Sequence, residues 1–300
     1  MDSAIPQRAI RQPVPAVRPR RFLSGALHRF VARRLVLVGV VLVTLLVWIG
    51  IFGRFVAPYR PIAQDLAGVL AAPSARHWLG TDELGRDVLS RLLYGATISL
   101  QVGIAAVLIA SIPGVILGTY VGYRRGLVDN VVMRILDGLM AFPALILALT
   151  IVAVLGSNIF NVMLAIAVTS FPHYARLVRG QVLAVREYDY VLAERAVGAR
   201  DRRIIFRHIM PNVISPVLVQ ASLGVGFAIM AEAGLSFLGL GIQPPTPTWG
   251  SMIQVGFQYL ETAPWLVMAP GTMIFMAVLG FNLLGDGLRE ALDPHLRHTR

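Results

Sequence analysis

Long runs without a charged side chain recur along this chain, and they fix its class before any motif is read. Leu35–Phe52 gives 18 such residues between Arg34 and Arg54. A helix of that length spans ~27 Å at 1.5 Å per residue, close to a bilayer core of about 30 Å. Leu92–Tyr123 (32 residues), Ile209–Ala231 and Thr262–Gly285 predict one helix each. Gly138–Pro172 runs for 35 residues with Gly156-Ser157-Asn158 in its middle, which predicts two helices joined by a tight turn. That makes six transmembrane helices. Ala233–Leu260 is also uncharged. However, Gln243-Pro244-Pro245-Thr246-Pro247 cannot continue a helix, so this stretch reads as a loop with short re-entrant or interfacial pieces.

Only 14% of the 300 residues are charged and 56% are hydrophobic, against roughly 25% charged in a soluble domain. The fold class is therefore an all-α membrane protein. All 27 basic residues are Arg. Without Lys the chain has no Walker A motif and no Schiff-base cofactor; without Cys it has no disulfide and no thiolate-bound metal. Leu35–Phe52 is long for a signal peptide and no small-x-small cleavage site follows it, so an uncleaved helix is expected.

Six helices put both termini on one side, and the Arg distribution chooses the side. Residues 1–34 hold eight Arg and one Asp. Three more stand at Arg124, Arg125 and Arg134, eight from Arg176 to Arg207, and three at Arg289, Arg297 and Arg300, which is 22 of the 27. The other five lie between Arg54 and Arg91, offset by four acids. By the positive-inside rule the Arg-rich face is cytoplasmic. The predicted organisation is a basic cytoplasmic tail (1–34), a first transmembrane helix (35–56) and an extracytoplasmic segment (57–93). A five-helix core (94–285) follows, with a cytoplasmic loop at 173–212, and a cytoplasmic tail (286–300) ends the chain.

The predicted helices contain Pro113, Pro143, Pro216 and Pro270, and Gly114, Gly118 and Gly122 form a small-xxx-small ladder. The ladder predicts either close packing within this chain, or a subunit seam or a bend that moves in transport. Asp137, three residues after Arg134, is expected to pair with it. Glu232 lies 20 residues beyond Asn212, about one membrane core further along its helix. It is a candidate pathway or outer-gate residue, with a hydrated structural charge as the plain alternative. His295 and His298 share a polar tail and do not make a metal site.

The segment from Glu187 to His208 predicts two short helices joined at Gly198, with Asp201 in the first turn of the second, where a negative charge is favoured. Pro211 is expected to reset the chain as it enters the membrane. Composition alone allows a solvated basic loop. The spacing is more particular: Ala193-Glu194-Arg195-Ala196-Val197-Gly198-Ala199, nine residues from Gly198 to Arg207, then His208-Ile209-Met210-Pro211. This resembles the EAA loop of ABC importer permeases. The family's leading Glu position is Leu192 here, and its second Ala is Glu194. Three further blocks are similar to the second permease of dipeptide, oligopeptide, glutathione and nickel importers. They are His77-Trp78-Leu79-Gly80-Thr81-Asp82-Glu83-Leu84-Gly85-Arg86-Asp87, then Gly234-Leu235-Ser236-Phe237-Leu238-Gly239-Leu240-Gly241, and Asn282-Leu283-Leu284-Gly285-Asp286-Gly287-Leu288-Arg289.

The resemblance implies a type I ABC importer permease fold in a bacterial inner membrane. It implies a non-catalytic transport subunit that forms half of a pathway for di- or oligopeptides. The implied partners are a second, homologous permease, two ATP-binding subunits, an extracytoplasmic substrate-binding protein and membrane lipids, with no nucleic acid. ATP would be bound by the partner chains, so this chain needs no cofactor of its own. Ala193, Glu194, Arg195, Ala196, Gly198, Ala199, Asp201 and Pro211 would form the contact with an ATPase. A nickel or other non-peptide solute is the alternative cargo. An ion-coupled secondary transporter and a membrane enzyme are the rival classes. The helices hold almost no embedded acids for the former, and the sequence has no nucleophile motif for the latter.

Overall fold

A computed structural model describes residues 34–292, and they are helical throughout except for connecting loops and one isolated antiparallel bridge between Thr81 and Asp87. The expected tail over 1–34 lies outside the described residues except for Arg34, and so do His295 and His298. The helices in chain order are α1 (Arg34–Val56), α2 (Val88–Arg124), α3 (Leu127–Met140), α4 (Ala144–Leu155) and α5 (Ile159–Val185). They continue with α6 (Asp189–Ala196), α7 (Asp201–Ile204), α8 (Met210–Phe237), α9 (Trp249–Phe257) and α10 (Trp265–Leu292).

Among the described residues four spans are long and apolar enough to cross a membrane: α1, α2, α7 with α8 (Asp201–Phe237), and α10. A fifth arises if α3 and α4, bent by 88° at Ala141-Phe142-Pro143, count as one broken span. Proline explains the bend, because Pro143 has no N–H to continue the ladder of α3. The turn expected at Gly156-Ser157-Asn158 separates α4 from α5: Gly156 has φ +91°, and the Asn158 side chain accepts from the Asn161 N–H at 2.9 Å.

Several boundaries differ from the sequence expectation. The helix expected to stop at Pro172 runs through it to Val185, so the connection to α8 begins at Arg186 rather than at residue 173. Likewise α10 continues past Gly285 to Leu292. Within the expected loop over Ala233–Leu260, α9 forms a nine-residue helix capped by Thr248, whose hydroxyl accepts from the Ser251 N–H at 3.0 Å.

The core is built around the packing of α2 on α5. A Cβ added at Gly114 would stand 2.7 Å from the Cβ of Tyr174, and one at Gly118 would overlap the Ala175 carbonyl. One at Gly122 would stand 3.0 Å from the Arg179 carbonyl. The ladder is thus an intrachain seam, where two helices approach closely because nothing larger fits. Val102, Ala106, Ala110, Ala165 and Ile166 continue this contact inside the main apolar cluster, with Ile229 of α8 against them. Both α1 and the glycine-poor outer faces of α2 and α4 leave large apolar side chains exposed, as a lipid-facing surface does.

Candidate functional site: a braced loop below a polar cavity

The loop forms as two short helices. α6 ends at Ala196, Gly198 takes φ +79°, and α7 starts at Asp201. A side chain at Gly198 would meet nothing within 4 Å, so glycine is needed there for its backbone angle and not for space. Pro211 does not reset the chain. α7 runs through a wide π turn, Ile205–Ile209, directly into α8, and Pro211 sits in the first turn of that helix. The Met210 N–H reaches back to the Ile205 carbonyl, an i→i−5 step. The extra residue in the turn makes room for a ring that would otherwise crowd the carbonyl one turn earlier.

The inner face of the loop is sealed. Val191, Ile204 and Ile209 are buried against Tyr123 of α2, Val178, Val182 and Val185 of α5, and Val213 and Val217 of α8, forming a second apolar cluster. Polar contacts reinforce it. The Tyr123 hydroxyl donates to Asp201 Oδ1 at 2.7 Å, and the Arg195 guanidinium lies 5.2 Å from the centre of the same ring. Arg186 Nη1 donates to the Tyr123 carbonyl at 2.8 Å. Burial, with Arg125 and Arg195 close by, pushes the Arg186 guanidinium below its ordinary value, against the opposing pull of Glu187. Glu194, the displaced acid, points back into the loop. Its carboxylate is 3.7 Å from Arg203 Nε and 3.3 Å from His208 Nε2, the latter within ion-pair distance but not aligned for a hydrogen bond. Asn212 Nδ2 donates to the Tyr190 hydroxyl at 3.2 Å.

The outer face combines small apolar residues with exposed arginines. Ala193, Ala196 and Gly198 are exposed, beside Val197 at 80% and Phe206 at 65% exposure. Arg200, Arg202, Arg203 and Phe206 line an open depression of about 430 Å³. Of the residues expected to contact a partner, Ala193, Ala196 and Gly198 thus face outward, while Glu194, Arg195, Ala199 and Asp201 hold the loop to itself and to the bundle. Sequence reasoning missed Tyr123 and left Val197 out of the contact set. Tyr123 is the last residue of an apolar run, and no local signal marks it as a clasp.

At the other end of α2, whose 37 residues extend ~55 Å, the block from His77 to Asp87 folds as a cap. Asp87 is the N-cap of α2: its Oδ2 accepts from the Ser90 N–H and hydroxyl, both at 2.7 Å, and its Oδ1 is 2.8 Å from His77 Nδ1. Asp82 accepts from Arg86 Nε at 2.6 Å and stands 3.3 Å from Arg91 Nε. Burial and the neighbouring Asp82 hold the Glu83 carboxyl above the usual carboxylate range, although Arg86 Nη2 donates to it at 2.6 Å.

Between the two ends lies a cavity of about 400 Å³ that opens to the surface of the bundle. Its polar lining comes from Thr169, Ser170 and His173 of α5, Gln220 of α8 and Asn282 of α10, with Phe227 and Met230 as apolar walls. Glu232 is not part of it. Its side chain is fully buried, Oε1 accepts from the Ser236 hydroxyl at 2.7 Å, and Oε2 has no hydrogen-bond partner among the described residues. Asp137 does not pair with Arg134; it meets Arg176 of α5.

Residues 114–298 match the family described as binding-protein-dependent transport system inner membrane component, and residues 21–73 match the N-terminal TM domain of oligopeptide transport permease C. The chain belongs to this family of inner-membrane permease components. Its relatives among permeases cover nearly the whole chain. The dipeptide transport system permease protein DppC of Alkalihalophilus pseudofirmus is 45% identical over 88% of this chain and 87% of its own length. The di/tripeptide transport system permease protein DppC of Pseudomonas aeruginosa is 45% identical over 87% of this chain and 88% of its own length. The glutathione transport system permease protein GsiD of Pectobacterium atrosepticum is 43% identical over 90% of both chains.

Proposed function

We propose that this permease is one of two non-identical membrane subunits of an ATP-driven importer for di- or oligopeptides. The observation that carries the reading is the pairing of the cavity with the braced loop in a chain whose relatives are named for dipeptides, di/tripeptides and glutathione. The cavity is half of a pathway, completed by the sister subunit. Two ATPases bind below, a substrate-loaded binding protein docks above, and ATP is held by the ATPases alone.

The mechanism is a lever. Ala193, Ala196, Val197 and Gly198 enter a cleft on the ATPase, with Phe206 as an apolar anchor. Small residues allow close approach. When the ATPases close on ATP, the loop moves as a rigid body, because Glu194, Arg195, Ala199 and Asp201 tie it to itself and to α2 and α5. Since α7 continues through Pro211 into α8, the shift passes directly to a helix that lines the cavity.

In this reading six segments cross the membrane: α1, α2, α3 with α4, α5, α8 and α10, while α9 is re-entrant. α5 counts as a crossing because Thr169, Ser170 and His173 face the cavity, and Arg176 and Arg179 meet acids of α3. An even number places both termini on one side, and the positions of 22 of 27 Arg make that side cytoplasmic. The tail before α1, and the end of α10 with the residues after it, are then cytoplasmic, and the segment 57–93, which includes the first residues of α2, is extracytoplasmic. Glu232, enclosed beside Ser236 and below Thr248, anchors α9 to α8 near the outer end.

Reconstitution tests this. The chain, co-expressed with its sister permease, two ATPases and binding protein, is expected to accumulate labelled dipeptide in proteoliposomes only with ATP. Activity of a homo-oligomer alone, or uptake of nickel without peptide, would refute it.

A further inference from the structure

Two Arg–Asp pairs join α5 to α3, one helical turn apart on α5 and about two on α3, and they are built differently. Arg179 grips Asp129 with two hydrogen bonds, from Nε at 2.6 Å and Nη2 at 2.7 Å, and the Asp129 side chain is 6% exposed. Arg176 meets Asp137 through a single contact, Nη2 to Oδ1, and the two side chains are 47% and 51% exposed. A shielded bidentate pair clamps a helix. An open single-contact pair contributes about 0–1 kcal/mol and exchanges partners freely. The clamp on α3 is therefore Asp129–Arg179, and the second pair is not required for it.

Position gives the second pair its use. Thr169, His173 and Arg176 follow one another at i, i+4 and i+7, so Arg176 extends the polar line of the cavity wall by one turn toward the loop. Gly180 comes next on this line, exposed and with nothing within 4 Å of an added Cβ, so the line stays open below Arg176. A peptide with free ends carries one ammonium and one carboxylate. Leaving bulk water through a cavity with walls such as Phe227 and Met230 is costly for both charges unless partners meet them. A guanidinium matches a carboxylate in shape and charge, and an aspartate matches an ammonium.

We propose that Arg176 and Asp137 are an exchangeable charge pair that receives the carboxylate and ammonium ends of an unblocked peptide at the loop end of the cavity. This rests on the peptide-importer reading above. In the resting state the two residues satisfy each other; with peptide present each takes an end of the substrate, and they re-form when it leaves.

The test uses the complete complex in proteoliposomes, saturated with binding protein loaded with dialanine, and reads dipeptide moved per ATP hydrolysed. Co-purification of the partner subunits is measured for every variant. Arg176→Gln and Asp137→Asn are each expected to lower the ratio about tenfold in assembled complexes, and Arg176→Lys to recover most of it. The exchanged double variant, Asp137→Arg with Arg176→Asp, restores a clip but presents reversed polarity, so uptake is expected to stay low. Full uptake in either single variant, loss of assembly, or full restoration by the exchange overturns the proposal. Failure of the unsubstituted complex to move any peptide instead overturns the importer reading itself.

Discussion

Tyr123 is where the attachment of the loop to α2 converges, and replacing it by Phe removes one bond while keeping the ring. The lost bond is the 2.7 Å contact to Asp201. A hydrogen bond to a charged group contributes ~1.5–3 kcal/mol. Asp201 is exposed, so the lower end applies, and about 1.5 kcal/mol shifts the ratio of clasped to released loop roughly tenfold. Tyr123→Ala also removes the ring beneath Arg195, worth a further ~0.5–1 kcal/mol, and its packing in the second apolar cluster, for a shift on the order of a hundredfold. The chain has no Cys, so a spin-label pair is introduced at Val197→Cys and Ile116→Cys, both exposed positions, for the distance measurement on the permease without its ATPases, and transport is read in the unlabelled chains. The distance distribution is expected to be narrow in the parent, broader in Tyr123→Phe and broadest in Tyr123→Ala. Peptide moved per ATP should fall in the same order. An unchanged distribution and an unchanged transport ratio in Tyr123→Ala would show that the loop does not act as a rigid lever.

Gly118→Leu forces α2 from α5 and is expected to cost ~1–3 kcal/mol or more, read as a lower melting temperature of the purified complex; an unchanged melt would remove the seam from the core. Gly198→Ala should cost about 1 kcal/mol in loop stability and leave uptake near normal, since only the φ of +79° opposes it. Gly198→Pro cannot adopt that φ and should uncouple ATP hydrolysis from uptake, so normal uptake in this variant would count against the coupling role. In the cap, Asp82 serves Arg86, Arg91 and two backbone N–H groups while buried, so Asp82→Asn is expected to cost ~3–5 kcal/mol. Glu83 behaves oppositely. Its folded pKa is raised, so its ionisation opposes folding; the penalty is absent below about pH 4.5 and grows as pH rises through the raised value. Glu83→Gln should therefore melt at or above the parent at pH 8 and match it near pH 4, whereas a lower melt at pH 8 would mean that the Arg86 contact outweighs burial.

Local signals carried much of this structure. Uncharged length located most of the long helices, the Gly156–Asn158 turn was readable because a positive-φ glycine and an Asn cap are both short-range features, and Gly198 divided the loop for the same reason. Boundaries at proline were not readable. Pro172 stops a helix by rule, yet α5 passes through it, and Pro211 is absorbed by a π turn whose existence depends on packing of Ile204 and Ile209 beneath it. Partners distant in sequence were also hidden. Asp137 has Arg134 one turn away, but its actual partner is 39 residues on, chosen by how α3 lies across α5. Glu232 shows the same limit: its depth along the helix follows from counting, but its enclosure depends on Thr248 and Ser236 closing over it.

The helix that composition judges least fit to cross a membrane, α5, is the one the cavity depends on. It is 27 residues long but carries Asn161, Thr169, Ser170, His173, Arg176 and Arg179. Such a helix is unstable against lipid unless its polar face is turned away and its apolar face is covered. α2 does the covering. Tyr174, Ala175, Val178 and Val182 lie against Gly114, Gly118 and Gly122, so the apolar side of α5 meets protein along about two turns. The opposite side, through His173, Arg176 and Gly180, stays exposed. The glycine ladder and the polar line are thus two faces of one arrangement. Widening the first with a larger residue should disturb the second, so Gly118→Leu is expected to lower peptide moved per ATP even under conditions where the complex remains assembled. Normal transport in an assembled Gly118→Leu complex would show that the two faces are independent.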